Sequence, residues 1–251
     1  MSRQKKDWEV YERMIARLIT DHIDTDLCVT VNARVNGRIS GRRRQIDILI
    51  ERRHDTDNSQ RIVVDAKRKA RKITVNDVEA FLGVLDDTGA THGFLVCPAG
   101  YTKAAEKRAQ LSLSLCLVPL NQIPNFDPLS WPKCRGKKCK DGRVFWDGYP
   151  AIDVTAVPLS DMEKNGKVLT FVHKVGKCDR CGRFHVLCAT CNVMLSLPED
   201  DPDDIGQTCN CKMRWFWIAS VEQDENGEKS AELHLVTGLG EVVTADRRPC
   251  R

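Results

Sequence analysis

Nine of the twelve cysteines lie after residue 125, and six of them fall in two short stretches, "CDRCGRFHVLCATC" and "CNC". A two-residue gap between cysteines lets a tight knuckle point both thiolates at one ion, and tetrahedral zinc needs four such ligands. The N-terminus, "MSRQKKDWEVYERMIARLI", is charged and amphipathic from the start and lacks the apolar centre of an export signal. A cytoplasmic protein is therefore expected, and in that compartment close cysteine pairs read as zinc ligands rather than disulfides. The second half of the chain is thus a metal-pinned module. Cys28, Cys97 and Cys116 lie in or near apolar strand patterns and read as buried thiols.

Three partitions of the thiolates satisfy the spacing. Cys178, Cys181, Cys188 and Cys191 make one four-ligand set. Cys209 and Cys211 can instead join one knuckle in a ribbon. Recruiting Cys134 and Cys139 gives eight thiolates and two zinc ions. His173 and His185 are substitute ligands by chemistry, although a lone histidine is more often a packed or surface residue.

Ahead of the cysteines the pattern changes. Trp8, Tyr11, Ile15, Leu18 and Ile19 recur at helical spacing. "CVTVNARVNG", "RRQIDILIE" and "RIVVDAK" read as strands, the last two joined by the polar "RRHDTDNSQ" as a hairpin. Thr74 can cap a helix whose Val78, Phe81, Leu82 and Leu85 share a face, and "GFLVC" is apolar enough for a strand covered on both sides. "TKAAEKRAQL", capped by Thr102, and "LCLVPL" add a helix and a closing strand. The order predicts an α/β core with helices on a mixed sheet, and a parallel crossover from "IVVDA" to "GFLVC".

Prolines 124, 128 and 132 then break the rhythm, which divides the chain into residues 1–124 and a β-rich, zinc-binding 125–251. "VFWDGYPAIDVTAVPL", "GKVLTFVHKV", "RWFWIASVEQ" and "SAELHLVTG" are its candidate strands, "DENG" is a turn, and "PEDDPDD" reads as an exposed loop. Residues 1–124 carry 21 Lys/Arg against 16 Asp/Glu, whereas the remainder is nearly balanced. The excess base gathers in "GRRRQ" and "KRKARK", and such local charge attracts phosphate. No apolar run reaches membrane-spanning length.

The hairpin makes a specific prediction. Pairing Asp47 with Asp65 centres it at residue 56, inside the polar connection, and sets the two carboxylates directly across from one another. Carboxylates at that separation repel unless a cation compensates. Lys67, two residues beyond Asp65, projects from the same strand face. Oxygen ligands for Mg²⁺ beside an ammonium are what phosphodiester hydrolysis requires. An ordinary cross-strand ion pair uses the same residue types. Glu12 lies between Tyr11 and Ile15, at the edge of the first helix's packed face, and can supply a third oxygen; Glu9 is a neighbouring alternative. Gln45 reads as a strand-edge residue within reach of substrate. Lys103 and Lys107, four apart on one helix, are as consistent with solubility as with phosphate contact.

"YERMIARLI", "GRRRQIDILIE", "VVDAKRKARKITVNDVEAFLGVLDDTGATHGFLVCPAGYTKAAEKRA" and "LCLVPL" together resemble the Mrr-like restriction endonuclease domain of the PD-(D/E)xK nuclease superfamily, over about residues 8–123. The resemblance implies a restriction-endonuclease-like fold with Asp47 as first metal ligand, Asp65 as second and Lys67 as the signature lysine. It further implies the Ala66 carbonyl as a ligand and Glu12 as an accessory acid. Many such domains have Gln or Glu where Asp65 stands; Asp is a methylene shorter but still a charged oxygen ligand. The implied function is Mg²⁺-dependent endonucleolytic cleavage of DNA, in restriction of foreign or modified DNA. Metal sites are then Asp47, Asp65 and Ala66 for Mg²⁺, and Cys178, Cys181, Cys188, Cys191, Cys209 and Cys211 for structural Zn²⁺. A repair or junction nuclease uses the same centre, and a zinc-containing DNA-binding protein with an inactive core is the non-enzymatic alternative. Cutting both strands favours a homodimer. Trp215, Phe216 and Trp217 after "CNCKMR" fit either strand packing or base stacking, so the second half serves recognition or support.

Overall fold

The computed structural model describes residues 7–20, 27–53, 60–67, 70–110, 114–116, 131–148, 152–153, 169–170, 173–197, 207–211, 216–225, 227–236 and 242–250. The chain forms two compact units, Met1–Ile23 with Val29–Ser130, and Asp24–Cys28 with Trp131–Arg251. Residues 54–59 of the "RRHDTDNSQ" connection, the "PEDDPDD" stretch, Glu9's side chain and Trp215 lie outside the described residues.

In the first unit, helix α1 (Asp7–Thr20) buries Tyr11, Met14, Ile15 and Ala16, and packs on two of the strands that follow. Strands β1 (Leu27–Asn36), β2 (Arg43–Arg52) and β3 (Ile62–Ala66) precede helix α2 (Val75–Thr88). Strand β4 (His92–Val96), helix α3 (Lys103–Ala109) and strand β5 (Ser114–Cys116) complete it. The five strands run in sequence order across one mixed sheet. β2 and β3 are antiparallel, while β3, β4 and β5 are parallel. Parallel neighbours require crossovers, which α2 and α3 provide. The expected α/β architecture and the parallel step from "IVVDA" to "GFLVC" are both present.

One core holds this sheet to its helices. Leu49, Val63 and Leu95 meet Val78, Phe81 and Leu85 of α2, with Tyr101, Ala105 and Ala109 completing the layer. Each such large apolar side chain contributes about 1.5–3 kcal/mol on burial. Gly93 lets β4 approach α2: a Cβ there would fall 2.4 Å from Leu85 Cδ1. Local signals agree with the layout. The Asp77 carboxylate accepts from the Thr74 backbone N–H at 2.9 Å, the Thr102 hydroxyl accepts from the Ala105 N–H, and Gly89 closes α2 with φ 69°.

The second unit is almost wholly β. Strand β6 (Val144–Gly148) is followed by a two-stranded ribbon, β7 (Ile152–Asp153) with β8 (Leu169–Thr170). Strands β9 (His173–Cys178), β10 (Phe184–Cys188) and β11 (Met194–Leu197) join β6 in a sheet of order β11-β10-β9-β6. A second sheet runs β12 (Gln207–Thr208), β13 (Phe216–Gln223), β14 (Lys229–Val236), β15 (Val242–Pro249). Val175, Phe184, Val186, Leu195 and Leu197 from the first share a core with Trp217, Leu233, Leu235 and Ala245 from the second.

Four strands here go beyond the sequence expectation, the shortest being the two-residue β12. β10 and β11 hide beside cysteines that read as metal ligands. β15 is disguised because its buried positions include Asp246 and Arg248, paired at 2.7 Å, while Val242 is exposed. The single long strand expected over "VFWDGYPAIDVTAVPL" is described instead as β6 and β7.

Candidate functional site

The hairpin register is set by Ile48↔Val64, Leu49↔Val63 and Ile50↔Ile62. Extended one step, it places Asp47 opposite Asp65, the pairing expected from the sequence. The Ala66 N–H donates to Asp47 Oδ2 at 3.0 Å, and the Lys67 ammonium pairs with Asp65 Oδ2 at 2.7 Å. Asp65 Oδ1 is buried and meets no donor among the described residues. These groups sit where β3 ends against the end of β4, with the Lys67 N–H donating to the Val96 carbonyl. Carboxyl ends of parallel strands are where open α/β sheets place ligand sites.

Electrostatics separates the two acids. Burial, followed by the Asp65 charge, pushes the Asp47 carboxyl up to about 7. Burial opposes the Lys67 charge, but Asp65, Asp47 and Asp77 outweigh it, so the ammonium is held above the usual lysine value. Asp77, whose carboxylate completes the capping box of Thr74 at the start of α2, is a contributor that sequence reading left out. The donor set therefore fits a divalent cation: two crowded carboxylates, one carrying an oxygen without a donor, and a lysine retained as a cation. Glu12 is half-buried between buried Tyr11 and Arg13 on the helix that packs against β2 and β3, the strands carrying Asp47 and Asp65. Gln45, Lys103 and Lys107 are exposed.

Residues 4–124 match the family model Mrr_cat, described as "Restriction endonuclease". This segment is an Mrr-type restriction endonuclease domain. A solved structure described as "Crystal Structure of Protein of Unknown Function AF1548" is 18% identical, with a TM-score of 0.37, over 43% of this chain and 57% of that one. No curated protein matches. The Mrr-type domain holds all of Glu12, Asp47, Asp65, Ala66 and Lys67, so the candidate catalytic groups belong to the matched segment. The cysteine clusters lie outside it.

Those clusters form two separate four-sulfur groups, Cys134, Cys139, Cys178 and Cys181, and Cys188, Cys191, Cys209 and Cys211, each with its sulfurs within 4.8 Å. The set that joined Cys178 and Cys181 to Cys188 and Cys191 is therefore not the one formed. Each C-x2-C knuckle takes its partners from elsewhere in the chain. Sulfur pairs Cys134–Cys181, Cys139–Cys178 and Cys188–Cys211 stand 3.7 Å apart. A zinc tetrahedron with Zn–S bonds near 2.3 Å has edges of about 3.8 Å, so both groups fit zinc.

The two knuckles share one backbone design. The Cys178 N–H donates to the Arg183 carbonyl and the Gly182 N–H to the Cys178 carbonyl; Cys188, Val193 and Asn192 repeat the pattern. The residue after the second cysteine takes positive φ in both, 75° at Gly182 and 56° at Asn192, a conformation Gly and Asn adopt most readily. Gly142 completes the first site: a Cβ there would lie 2.4 Å from Cys178 Sγ and 2.5 Å from Cys139 Sγ.

Neither histidine enters a thiolate group. His185 donates from Nδ1 to the Arg183 carbonyl and accepts at Nε2 from the Arg135 N–H. It thus ties the segment bearing Cys134 to the turn after Cys181, and burial lowers its pKa to about 4. His173 is buried edge-on to Trp217, and burial likewise lowers it to about 4. Trp217 itself is wholly buried, which assigns it to packing rather than base stacking.

Proposed function

We propose that the chain is a Mg²⁺-dependent endonuclease that cleaves DNA phosphodiester bonds, acting in restriction of foreign or modified DNA. The single observation that carries this reading is the crowding of Asp47 against Asp65 at the end of β3, with the Lys67 ammonium 2.7 Å from Asp65. Asp47, Asp65 and the Ala66 carbonyl would hold the ion, with Glu12 as accessory acid. When bound, Mg²⁺ supplies phosphate polarisation and a more acidic water. Lys67 places a fixed positive charge where negative charge grows on the phosphate oxygens, which is useful only if the charge is already oriented before reaction. Asp65 provides that orientation. The Asp47 carboxyl must release its proton to serve as a ligand, so cation binding is favoured as pH rises through about 7.

In the same proposal the β-rich unit is held by two structural zinc ions and contributes target or partner recognition. No helix among the described residues is long and apolar enough to cross a membrane. Duplex scission by one active centre per chain would call for two copies on the substrate.

The test is incubation of the full chain with plain, methylated, single-stranded and branched DNA, with and without Mg²⁺. Mg²⁺-dependent cutting of linear duplex is expected, and Asp65→Ala should abolish it while leaving the unfolding transition in place. Cutting confined to branched DNA would replace restriction with junction processing. Binding without cleavage of any substrate would leave a zinc-containing DNA-binding protein.

A further inference from the structure

The turn between β1 and β2 contains the most exposed large apolar residue among those described, Ile39, at 72%. Its neighbours Arg38 and Arg42 are exposed, as is Arg34 on the strand leading into it. An isolated isoleucine on a floppy loop would mean little. This loop is not floppy.

Asp87, at the end of α2, grips it from behind. One carboxylate oxygen accepts from the backbone N–H groups of Ile39 (3.1 Å) and Ser40 (2.8 Å), and the other from the Ser40 hydroxyl (2.7 Å) and Arg44 Nε (2.5 Å). The Asp87 carbonyl accepts from the Arg38 N–H, and Arg38 Nε donates to the Asp86 carbonyl. Gly37 and Arg42 close the loop by a 2.8 Å bond, and a Cβ at Gly37 would fall 2.4 Å from Asp87 Oδ2. A carboxylate in the last turn of a helix stands against the helix dipole. Here the hairpin's donors compensate, and the acid brings no advantage to α2 itself. The arrangement serves to fix the turn, with its apolar tip held in solvent.

We infer that this hairpin, residues 37–42, enters the minor groove of duplex DNA beside the cut, with Ile39 as a wedge against a base step and Arg34 and Arg42 on flanking phosphates. The inference rests on the proposed nuclease function and adds to it the contact that selects duplex substrate. β2 runs directly from this turn to Asp47, and the four steps from Arg43 to Asp47 span about 13 Å, or roughly four base steps. The tip therefore reaches DNA that flanks the reacting phosphate. Apolar side chains framed by arginines are the combination used to pry at base steps from the minor groove. A protein or membrane partner would also be compatible with exposed charge, but neither explains one rigid apolar tip aligned with the strand that carries a candidate metal ligand.

The experiment uses the full chain with Ca²⁺ in place of Mg²⁺ and a fluorescent 30-base-pair duplex, a second copy of which carries 2-aminopurine at successive positions. Ile39→Ala should weaken duplex binding about tenfold and abolish any 2-aminopurine signal of unstacking, with the salt slope unchanged. Arg42→Ala should weaken binding and lower the salt slope by about 1. Thermal unfolding of both variants should match the parent, since both side chains are exposed. Parental affinity, salt slope and 2-aminopurine signal in both variants would overturn the hairpin assignment, even if cleavage persists. Loss of affinity in the variants of a chain that cuts no DNA would keep the hairpin and remove the nuclease reading. A parent chain that does not bind duplex at all would overturn both.

Discussion

Asp47 is placed at a cost to the metal-free protein. In an unfolded chain its carboxyl would lose its proton near 3.8, whereas burial and Asp65 raise it to about 7 in the fold. Between those values the folded state holds a proton that the unfolded state has released, so stability from this group is full below about pH 4 and is lost as pH rises through 7. Asp47→Asn removes both the titration and the repulsion. The variant should be more stable than the metal-free parent at pH 8, with the advantage shrinking towards pH 5, and should cut no DNA. Thermal unfolding at the two pH values, with chelator present, checks this; an advantage independent of pH would refute the coupling. Lys67→Ala acts differently, because it removes charge stabilisation and leaves the carboxylates. Its cleavage rate should fall roughly 100- to 1,000-fold while DNA affinity changes little. Asp47, Asp65 and Lys67 are legible in the sequence because a hairpin register is simple arithmetic and charged residues interrupt apolar strands. Asp87 is not legible. In "LDDTGA" it looks like one of two surface acids at a helix end, and its partners lie more than forty residues earlier, in the loop after β1.

At the level of elements, the helices and strands of the Mrr-type domain announce themselves because local pattern and tertiary role agree: each buried face is apolar at the right period. The β-rich unit reads less easily for a physical reason. Its knuckles are held by sulfur and backbone geometry rather than by an apolar stripe, and β10 and β11 are short strands between turns. The partition of cysteines is half legible: spacing allows eight thiolates in two sites, but not which knuckle joins Cys134 and Cys139, some forty residues before Cys178 and Cys181. That pairing has a direct consequence. The purified chain should contain two zinc ions; Cys134→Ser with Cys139→Ser should leave one, held by Cys188, Cys191, Cys209 and Cys211. Gly142→Ala should have the same effect as the double change, since its methyl group would occupy the space of two ligand sulfurs. Cys97→Ser, in the other unit, should retain both ions. Metal analysis of reduced, folded protein decides the matter: retention of two zinc ions after loss of Cys134 and Cys139 would disprove the partition.

Over the whole molecule, the proline-rich stretch before Cys134 reads as a boundary between residues 1–124 and 125–251, and the compact units meet in the chain at Ser130 and Trp131. The sequence division departs from the folded one in an instructive place. Asp24–Cys28, far earlier in the chain, belongs to the second unit, and the buried Cys28 thiol donates to the Arg247 carbonyl there. A core nevertheless forms without them: Leu49, Val63 and Leu95 against Val78, Phe81 and Leu85 lie wholly within the first unit. Residues 1–124 expressed alone should therefore fold cooperatively, with the start of β1 frayed and stability reduced. In that truncated chain Phe81→Ala should cost about 3–5 kcal/mol, the usual penalty for emptying a well-packed aromatic site. Urea unfolding followed by circular dichroism measures both quantities. A sigmoidal transition that Phe81→Ala moves to lower urea would establish the nuclease unit as an independent folding unit. A non-cooperative profile, while the full chain unfolds sharply, would mean that residues 125–251 are required for the Mrr-type core to form.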